Sequence, residues 1–509
     1  MMKYKIPSFI FLLLALSFKS NAFDFCNNRG IEKHTVLQNG RLKPLKVHAT
    51  ETLKYLTGKS KFNGINAVTT YCRLSFSNFY PPKETLIFPL IEHVTIKEKL
   101  EILPTDKFTF EELEENRSTL MLLKKDAVEG GSLDKAINKI LNYIRIYRDI
   151  TSGNNWTVPA TSYGSIEDME PISNLFNVTP KDSYARASDI LNSELNARQI
   201  KFNQNFPNKA EFEFFYTNLK LPLLSMLLTL LAIAFLVARK TITVGLIFTA
   251  LTVTAQTLLL IFRVYISERA PVTNMYETVL FSGYAGLLMA VVIGHFKKEK
   301  MFLLIGLGYN LLSIFMLNFS GGMLSASIGP LVPVLRDNFW LSTHVTSIIA
   351  SYGALALSWV MANIVLVKSR FSTIDNKEIN HYSDIMYSCL KYGVSLLAGG
   401  IILGGVWADY SWGRFWGWDP KETWSLIVLC IYMIILHGRY TNWITNKRFV
   451  PFTAVAFLSV MMAWFGVNYI LASGLHSYGF SEGGAIFLGI FFSAQLILLA
   501  VTTPKLLKA

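Results

Sequence analysis

The sequence predicts an all-α polytopic membrane protein, a multi-helix bundle preceded by a soluble domain. Two observations predict this class. Hydrophobic residues make up 51% of the 509 residues and charged residues only 16%, which is too apolar for an ordinary soluble protein. Uncharged runs close to bilayer-spanning length then recur after residue 220, whereas the chain before that point is mixed and polar.

The net charge of +13 would suggest a nucleic-acid partner in a soluble chain. Here many of the basic residues stand in short segments between apolar runs, which is typical of the cytoplasmic loops of membrane proteins. Nucleic acid is therefore excluded as a partner.

Residues 1–22 read as a secretory signal peptide. Lys3 and Lys5 precede the apolar run 6–16, and Ser20-Asn21-Ala22 offers small residues at a cleavage site,. An uncleaved membrane anchor is the alternative. Both interpretations place the following domain outside the cytoplasm.

Residues 23–220 are expected to form this exported soluble domain, α-rich with some extended segments, so that an α+β fold is also possible. A helix is predicted over 133–150 and a turn at Asn39-Gly40,. Scattered histidines in this domain indicate either ordinary surface or half-buried side chains or an extra metal or haem site: His34, His48 and His93.

The four cysteines contain no C-x-x-C pair, which excludes a thioredoxin-like dithiol and a covalent haem-attachment motif within this chain,. Cys26 and Cys72 can pair in an oxidising compartment, or both can remain thiols. Cys389 and Cys430 lie in or beside apolar runs.

Residues 221–509 are expected to form the membrane domain, because about nine apolar runs approach the roughly 20 residues that a spanning helix needs. The predicted spans are 221–238, 243–262, 278–294, 301–317, 345–367, 390–406, 423–436, 450–471 and 484–501.

Loop charges predict the orientation of these spans. With the soluble domain outside, every inner loop and the C-terminal tail carries Lys or Arg, as the positive-inside rule requires: 239–240, 297–300, 368–377, 439–448, and Lys505 with Lys508. The same alternation places residues 407–424, His344 and His476 on the outer side.

The tryptophan segment, residues 407–424, is the most informative feature. It concentrates Trp407, Trp412, Trp416, Trp418 and Trp424 between two apolar runs, whereas a helix that only crosses the bilayer places single tryptophans at the headgroups. We expect a loop that forms an aromatic shelf for a flat ligand. An unusually rich aromatic belt with an inert Asp419 is the alternative.

The exit of this segment has a helix-start pattern. Asp419 can cap the next span, Pro420 suits the first helical position, and Glu422 stands where a capping box requires it. Gly413 and Gly417 allow unusual dihedrals and close backbone approach between the indoles.

His344 and His476 are predicted at the same outer level as the tryptophan segment. Imidazole is a common axial ligand of haem iron, so these two rings can hold a haem from both faces. The alternative is two interfacial histidines exposed to water.

His437 is different, because seventeen helical steps after Pro420 place it roughly 25 Å deeper, toward the inner side. An ionisable residue at that depth indicates function, although an interfacial histidine beside Arg439 is an equal alternative. His295 is a possible partner at that level, but the nearby Lys297 favours an ordinary membrane-boundary position.

These motifs resemble a known family. Residues 407–424 look like the WWD haem-handling signature, and 340–344, 436–439 and 474–478 resemble the flanking histidine motifs of CcsA or ResC-like proteins of System II cytochrome c biogenesis. Residues 271–277 resemble the first outer loop of that family.

The resemblance implies haem handling at the outer face of a bacterial inner membrane, with the soluble domain and the WWD segment in the periplasm. Haem b would be held by the WWD segment, Asp419 included, with His344 and His476 as axial ligands and His437 on the inner part of the path. The implied partners are apocytochrome c, a ResB/CcsB-like membrane subunit and thiol-reducing proteins.

The implied activity is that of a cytochrome c synthase, which delivers haem and attaches it covalently to a C-x-x-C-H segment. A haem exporter or chaperone without ligase activity is the alternative. A haem-b electron carrier for quinone chemistry is disfavoured, because it would place histidine pairs on facing helices within the membrane.

Overall fold

The computed structural model of the chain describes residues 25–27, 29–62, 64–77, 93–100, 108–162, 165, 168–177, 184–206, 209–238, 241–331, 336–471 and 484–508. The predicted signal or anchor segment 1–22, the basic pair at 239–240 and His476 lie outside the described residues. The chain divides into two compact units, Met1–Asn218 and Leu219–Ala509.

The first unit is mainly helical and carries three small antiparallel sheets. Its helices are α1 (Leu45–Thr57), α2 (Ala67–Ser75), α3 (Val94–Lys99), α4 (Phe110–Glu115), α5 (Arg117–Asp126), α6 (Ser132–Thr151), α7 (Tyr184–Asn205) and α8 (Lys209–Asn218). The paired strands are β1 (Thr35–Gln38) with β2 (Arg41–Pro44), β3 (Lys61–Phe62) with β4 (Ile65–Asn66), and β5 (Thr157–Pro159) with β6 (Met169–Pro171).

Two local predictions are confirmed in this unit. Helix α6 covers the predicted 133–150, and Asn39-Gly40 makes the turn between β1 and β2 with φ of 52° and 72°. Positive φ at both turn residues matches the right-handed twist of the strands, and Asn and Gly tolerate it best.

The core of the first unit is aromatic around a disulfide. Cys26 and Cys72 are bonded to each other, with their Cα atoms 5.5 Å apart, and both are buried. Phe25, Phe76 and Trp156 pack on one another beside this bond, with ring centroids 5.0–6.2 Å apart. The bond thus joins the start of the unit to α2.

His48 is fully buried, unlike the surface or half-buried position expected from the sequence. Its Nε2 lies 2.9 Å from the Tyr71 hydroxyl and its Nδ1 lies 3.1 Å from Gln38 Oε1. Burial, and then the charge of Lys43, lower the pKa of His48 to about 3. Both ring nitrogens thus have hydrogen-bond partners within the core, which are the contacts of a structural histidine.

The second unit is all-α, and the described residues include nine helices long and apolar enough to cross a membrane. Its helices are α9 (Leu221–Val237), α10 (Ile242–Ser267), α11 (Met275–Lys297), α12 (Lys300–Phe319), α13 (Asn338–Trp340), α14 (Thr346–Phe371), α15 (Asn376–Trp412), α16 (Pro420–Tyr440), α17 (Asn446–Met461), α18 (Val467–Tyr469) and α19 (Gly484–Lys508). Single π-helical turns, Leu341–Val345 and Met462–Gly466, join α13 to α14 and α17 to α18.

Helix α15 is much longer than the predicted span 390–406. It has 37 residues, or about 55 Å at the α-helical rise, whereas the hydrocarbon core is about 30 Å thick. Asp375 starts it early by accepting the Glu378 N–H at 2.7 Å, so a polar stretch precedes the apolar one. Hydropathy detects only the apolar part.

Helix α14 is central in the second unit. It packs on α11, α12, α15, α17 and α19, and 67% of the most apolar stretch of the α13–α14 span is buried. The helix therefore offers a rigid support for the residues at its start, where His344 stands.

Candidate functional site

His344 lies in the single π-helical turn that precedes α14. Such turns are rare and occur often at functional sites. Its Nδ1 is 2.8 Å from the carbonyl oxygen of Gly400, and because a carbonyl only accepts, Nδ1 carries the proton. In the neutral ring Nε2 therefore has the lone pair that coordinates metals.

Glycines on α15 create the close approach that this contact needs. A Cβ on Gly393, Gly400 or Gly404 would lie 2.6, 2.7 and 2.5 Å from Leu355, Ile348 and His344, respectively. Small residues let two membrane helices pack closely. The His344 ring therefore lies directly on the backbone of α15 at Gly404.

Trp407 is the tryptophan that contacts the histidine. It belongs to α15, is 7% exposed, and its ring centroid is 5.8 Å from that of His344 at an interplanar angle of 64°. Its indole Nε1 is buried and has no hydrogen-bond partner among the residues that the structure describes. The structure thus brings together the residues predicted as axial ligand and as part of the aromatic shelf.

The expectation of one continuous loop over 407–424 is wrong. Residues 407–412 are the last turns of α15 and residues 420–424 begin α16, so only 413–419 form a loop. Gly413 ends α15 with φ of 67°, and its N–H bonds the Asp409 carbonyl at 2.8 Å, a common helix C-terminus. Trp412 and Trp424 are therefore held on helices.

The short loop folds back onto α15. The Phe415 ring covers Gly405, where a Cβ would lie 2.5 Å from the ring. The Arg414 guanidinium occupies the space of a side chain at Gly417, 0.9 Å from the position of a Cβ. Gly405 and Gly417 thus leave no room for a side chain, since a Cβ there would displace the Phe415 ring or the Arg414 guanidinium.

Trp416 and Trp418 form the exposed part of the loop. Their rings meet edge to face with centroids 5.9 Å apart. Trp418 has φ of 56° and is 69% exposed, an unusual combination for a bulky residue. The buried Trp416 Nε1 has no hydrogen-bond partner among the described residues.

The predicted capping box at the end of the loop is confirmed. Asp419 Oδ1 accepts the N–H groups of Lys421 and Glu422 at 2.9 and 3.0 Å. In turn, Glu422 Oε2 accepts the Asp419 N–H at 3.3 Å. The same Glu422 oxygen accepts the Gly417 N–H at 2.6 Å. The cap fixes the backbone from Gly417 onward.

His437 lies at the opposite end of α16 from the loop, as predicted from helix length. Its Nδ1 is 2.8 Å from the Met433 carbonyl, so Nδ1 carries the proton here as well and Nε2 has the lone pair of the neutral ring. A Cβ at the neighbouring Gly438 would lie 2.6 Å from Ile444.

Arg439 fastens this end of α16 to its neighbours. Its guanidinium donates to the Ser383 carbonyl at 2.9 Å, to Asp384 at 2.7 Å and to Asn446 at 3.1 Å. It also stacks over Tyr387 and Phe449. These contacts anchor the end of α16 that carries His437.

The suggested pairing of His437 with His295 has no support. His295 lies on α11, which packs mainly on α12 and α14, whereas α16 packs mainly on α15 and α17. Sequence reasoning also missed His381 on α15, whose Nε2 is 3.3 Å from Glu299 Oε2. The residues around it, 376–384, are polar and therefore lack the hydropathy of a membrane-spanning segment.

A buried ion pair supports the segment 271–277, and its arginine was also missed. Arg263 Nη2 is 2.6 Å from Glu277 Oε1, and both side chains are 1% exposed. Arg263 Nη1 donates to the Ala326 carbonyl at 3.1 Å, and Glu277 Oε2 accepts the Thr273 N–H at 2.9 Å. The sequence signal that could have revealed this ion pair was a single arginine at the end of an apolar run.

Together, the spans and the site define a multi-pass membrane protein with a histidine and a set of indoles at one end of its bundle. Residues 272–476 match the family model described as Cytochrome C assembly protein. A CcsA cytochrome c biogenesis protein of Guillardia theta is 31% identical over 301 residues, 53% of this chain and 98% of that protein.

Two further relatives agree. A CcsA protein of Gloeobacter violaceus is 30% identical over 277 residues, 43% of this chain and 80% of its own length. Protein NrfI of Wolinella succinogenes is 38% identical over 228 residues, 44% of this chain, but the match spans only 25% of that longer protein. The chain belongs to the CcsA family of cytochrome c biogenesis proteins.

Proposed function

We propose that this chain binds haem b at the outer face of the bacterial inner membrane and attaches it to the C-x-x-C-H segment of apocytochrome c. His344 and His476 hold the iron. Trp407, Trp416 and Trp418 shield and orient the ring, and Trp412, Asp419 and Trp424 fix the segment to its helices. The single observation that carries this proposal is the contact between His344 and Trp407.

Three features of the described residues fit a haem. The proton on His344 Nδ1 directs the Nε2 lone pair to a metal,. The buried indole N–H groups of Trp407 and Trp416 have no hydrogen-bond partner in the described part of the chain, and buried donors are normally satisfied. Glycine-lined α15 lets rings lie directly on its backbone.

In this proposal the protein supplies position and environment, and the bound haem supplies the vinyl groups to which the two cysteine thiols add. The Gly400 carbonyl keeps the His344 ring in one tautomer and orientation. With haem bound, His344 and His476 would hold it, and a histidine of the substrate could take the place of either imidazole.

The inner part of the path uses His437. In this proposal its second imidazole comes from a ResB/CcsB-like membrane subunit, because His381, on the neighbouring helix α15, is engaged by Glu299 at 3.3 Å. The positively charged loops support a cytoplasmic position for that end. The soluble unit and the tryptophan segment then lie in the periplasm in this proposal, where thiol-reducing proteins keep the apocytochrome reactive.

Purification with bound haem tests the ligand assignment. We expect wild-type protein to show a low-spin haem spectrum, and His344→Gly and His476→Gly each to lose it, with partial recovery when imidazole is added. His381→Gly, a histidine away from the site, should behave as wild type. If both ligand variants keep the wild-type spectrum, the assignment is wrong.

Co-expression with an apocytochrome c in a host lacking its own maturation system separates ligation from transport. A synthase, alone or with its ResB-like partner, gives a cytochrome with covalently bound haem on a denaturing gel. A chaperone or exporter binds haem but yields no covalent product, and that outcome would contradict the ligase proposal while leaving haem binding intact.

A further inference from the structure

The loop of the tryptophan segment contains a cation for which the described residues supply no hydrogen-bond acceptor. The Arg414 side chain is 32% exposed, and its guanidinium stacks over the Trp412 ring at 5.7 Å. Among the described residues no group accepts a hydrogen bond from it. A guanidinium carries five N–H donors in a fork that matches a carboxylate.

The carboxylate that faces Arg414, Glu422, is engaged elsewhere. Glu422 Oε2 accepts the N–H groups of Gly417 and Asp419 as part of the helix cap, and Oε1 stays 4.0 Å from Arg414 Nη1 without a hydrogen bond. At that distance the pair has charge attraction but lacks the bidentate geometry of a strong carboxylate contact.

Contacts within the loop hold the Arg414 guanidinium in this position. It fills the space above Gly417, where any side chain would collide with it. The next residue, Phe415, covers Gly405, and the adjacent Gly404 is covered by the His344 ring. Phe415, the residue after Arg414, and the proposed iron ligand therefore lie over the same turn of α15.

A second donor without a partner lies two residues away. Trp416 is half-buried, and its indole Nε1 is buried and makes no hydrogen bond within the described residues. Both groups only donate. Two neighbouring hydrogen-bond donors without an acceptor, one of them positively charged, suit an anion with paired acceptor oxygens.

We propose that Arg414, together with the Trp416 N–H, binds a propionate carboxylate of haem. This inference rests on the proposed function and deepens it, because it orients the ring. The propionate edge faces the loop at 413–419, so the opposite edge is presented away from it. Arg414 thereby acts as a specificity residue for a porphyrin with free carboxylates.

Haem and haem dimethyl ester distinguish this role from a structural one. Full-length protein in detergent, prepared from a haem-deficient host, is titrated with each compound and binding is followed by absorbance. We expect wild-type protein to bind haem about tenfold or more tighter than the ester. Arg414→Gln should lower haem affinity by about tenfold and leave affinity for the ester unchanged.

Further variants give the other readouts. Arg414→Lys should retain part of the preference, since it keeps the charge but not the fork, and Trp416→Phe should reduce it less than Arg414→Gln does. Arg269→Gln, which removes a guanidinium bound instead to the Gly329 carbonyl at 2.7 Å, should change neither affinity.

Two results overturn the inference alone: equal binding of haem and ester by wild-type protein, or an Arg414→Gln variant that weakens both ligands equally. In the second case the guanidinium only supports the loop. Failure of wild-type protein to bind either compound would instead refute the proposed function, and the inference with it.

Discussion

Trp418 combines a strained backbone with an exposed ring. A left-handed φ at a bulky residue costs on the order of 1–3 kcal/mol and persists only where its surroundings enforce it. Here the cap at Asp419 fixes the next residue, and the Trp416 ring contacts the indole from the other side. The strain is therefore maintained at the residue that is proposed to present its ring to haem.

Replacing Trp418 by Asn should separate stability from function. Asn tolerates the left-handed region, so the unfolding temperature of the purified protein should stay the same or rise. Haem retained per protein should fall by about threefold or more, because the stacking surface is lost. Thermal unfolding and the absorbance of bound haem measure the two effects.

Trp443→Asn is the matched control for this experiment. Trp443 is 71% exposed but lies at the other end of α16, near His437. The Trp443→Asn substitution should lower neither the unfolding temperature nor the amount of haem bound at the outer site. Full haem retention by Trp418→Asn would show that the strained indole does not contact the ligand.

Residue-level predictions succeeded where the signal was local. The Asp419-Pro420-Glu422 pattern specifies its own cap within a few residues, so it could be read directly. The roles of Gly404 and Arg414 could not be read, because both depend on which side chain of another element, or of a folded loop, fills a particular space. Trp407 was grouped with the loop because the end of α15 has no apolar signature.

At the scale of elements, the site depends on the packing of α14 against α15. His344 lies in the π-helical turn before α14, and the glycine at 404 leaves the space on α15 that its ring fills. The Gly400 carbonyl, one helical turn earlier, then accepts the ring N–H. The packing of α14 against α15 thus also sets the orientation of the His344 ring.

Gly404→Ala should displace the His344 ring, because the new methyl group would lie 2.5 Å from its Cε1. The hydrogen bond to Gly400 should weaken or break. We expect bound haem to shift from a low-spin toward a high-spin or imidazole-rescuable spectrum, with the helical content of the protein unchanged. Absorbance and circular dichroism of the purified variant measure these two properties.

Gly399→Ala tests whether any alanine in this part of α15 has the same effect. A Cβ at Gly399 meets no atom within 4 Å, so the change should be neutral or stabilise the helix by up to about 1 kcal/mol. An unaltered haem spectrum in Gly404→Ala, or an equal disturbance in Gly399→Ala, would contradict the proposed contact.

Element boundaries show what hydropathy can and cannot predict. The runs after residue 220 predicted spanning helices because length and apolarity are sufficient signals for insertion. The polar start of α15 and the π-helical turns gave no such signal, since they are set by caps and tertiary packing. His381 was missed for the same reason.

At the scale of the whole molecule, the disulfide of the first unit reports on the compartment in which that unit folds. Cys26 and Cys72 are 46 residues apart, and closing a loop of that size restricts the unfolded chain by about 4 kcal/mol in the entropic model. Disulfides form and persist mainly outside the cytoplasm. The proposed periplasmic position thus has a chemical test.

Thiol labelling of the full chain in a bacterial host provides that test. In a background with Cys389→Ser and Cys430→Ser, denatured protein treated with a maleimide polymer should show no gel shift without reductant, and two added polymers after reduction. Cys26→Ser should leave Cys72 reactive and make the unit more sensitive to protease, because the cross-link is lost. Two reactive thiols before reduction would place the unit in a reducing compartment and contradict the topology on which an outer haem site depends.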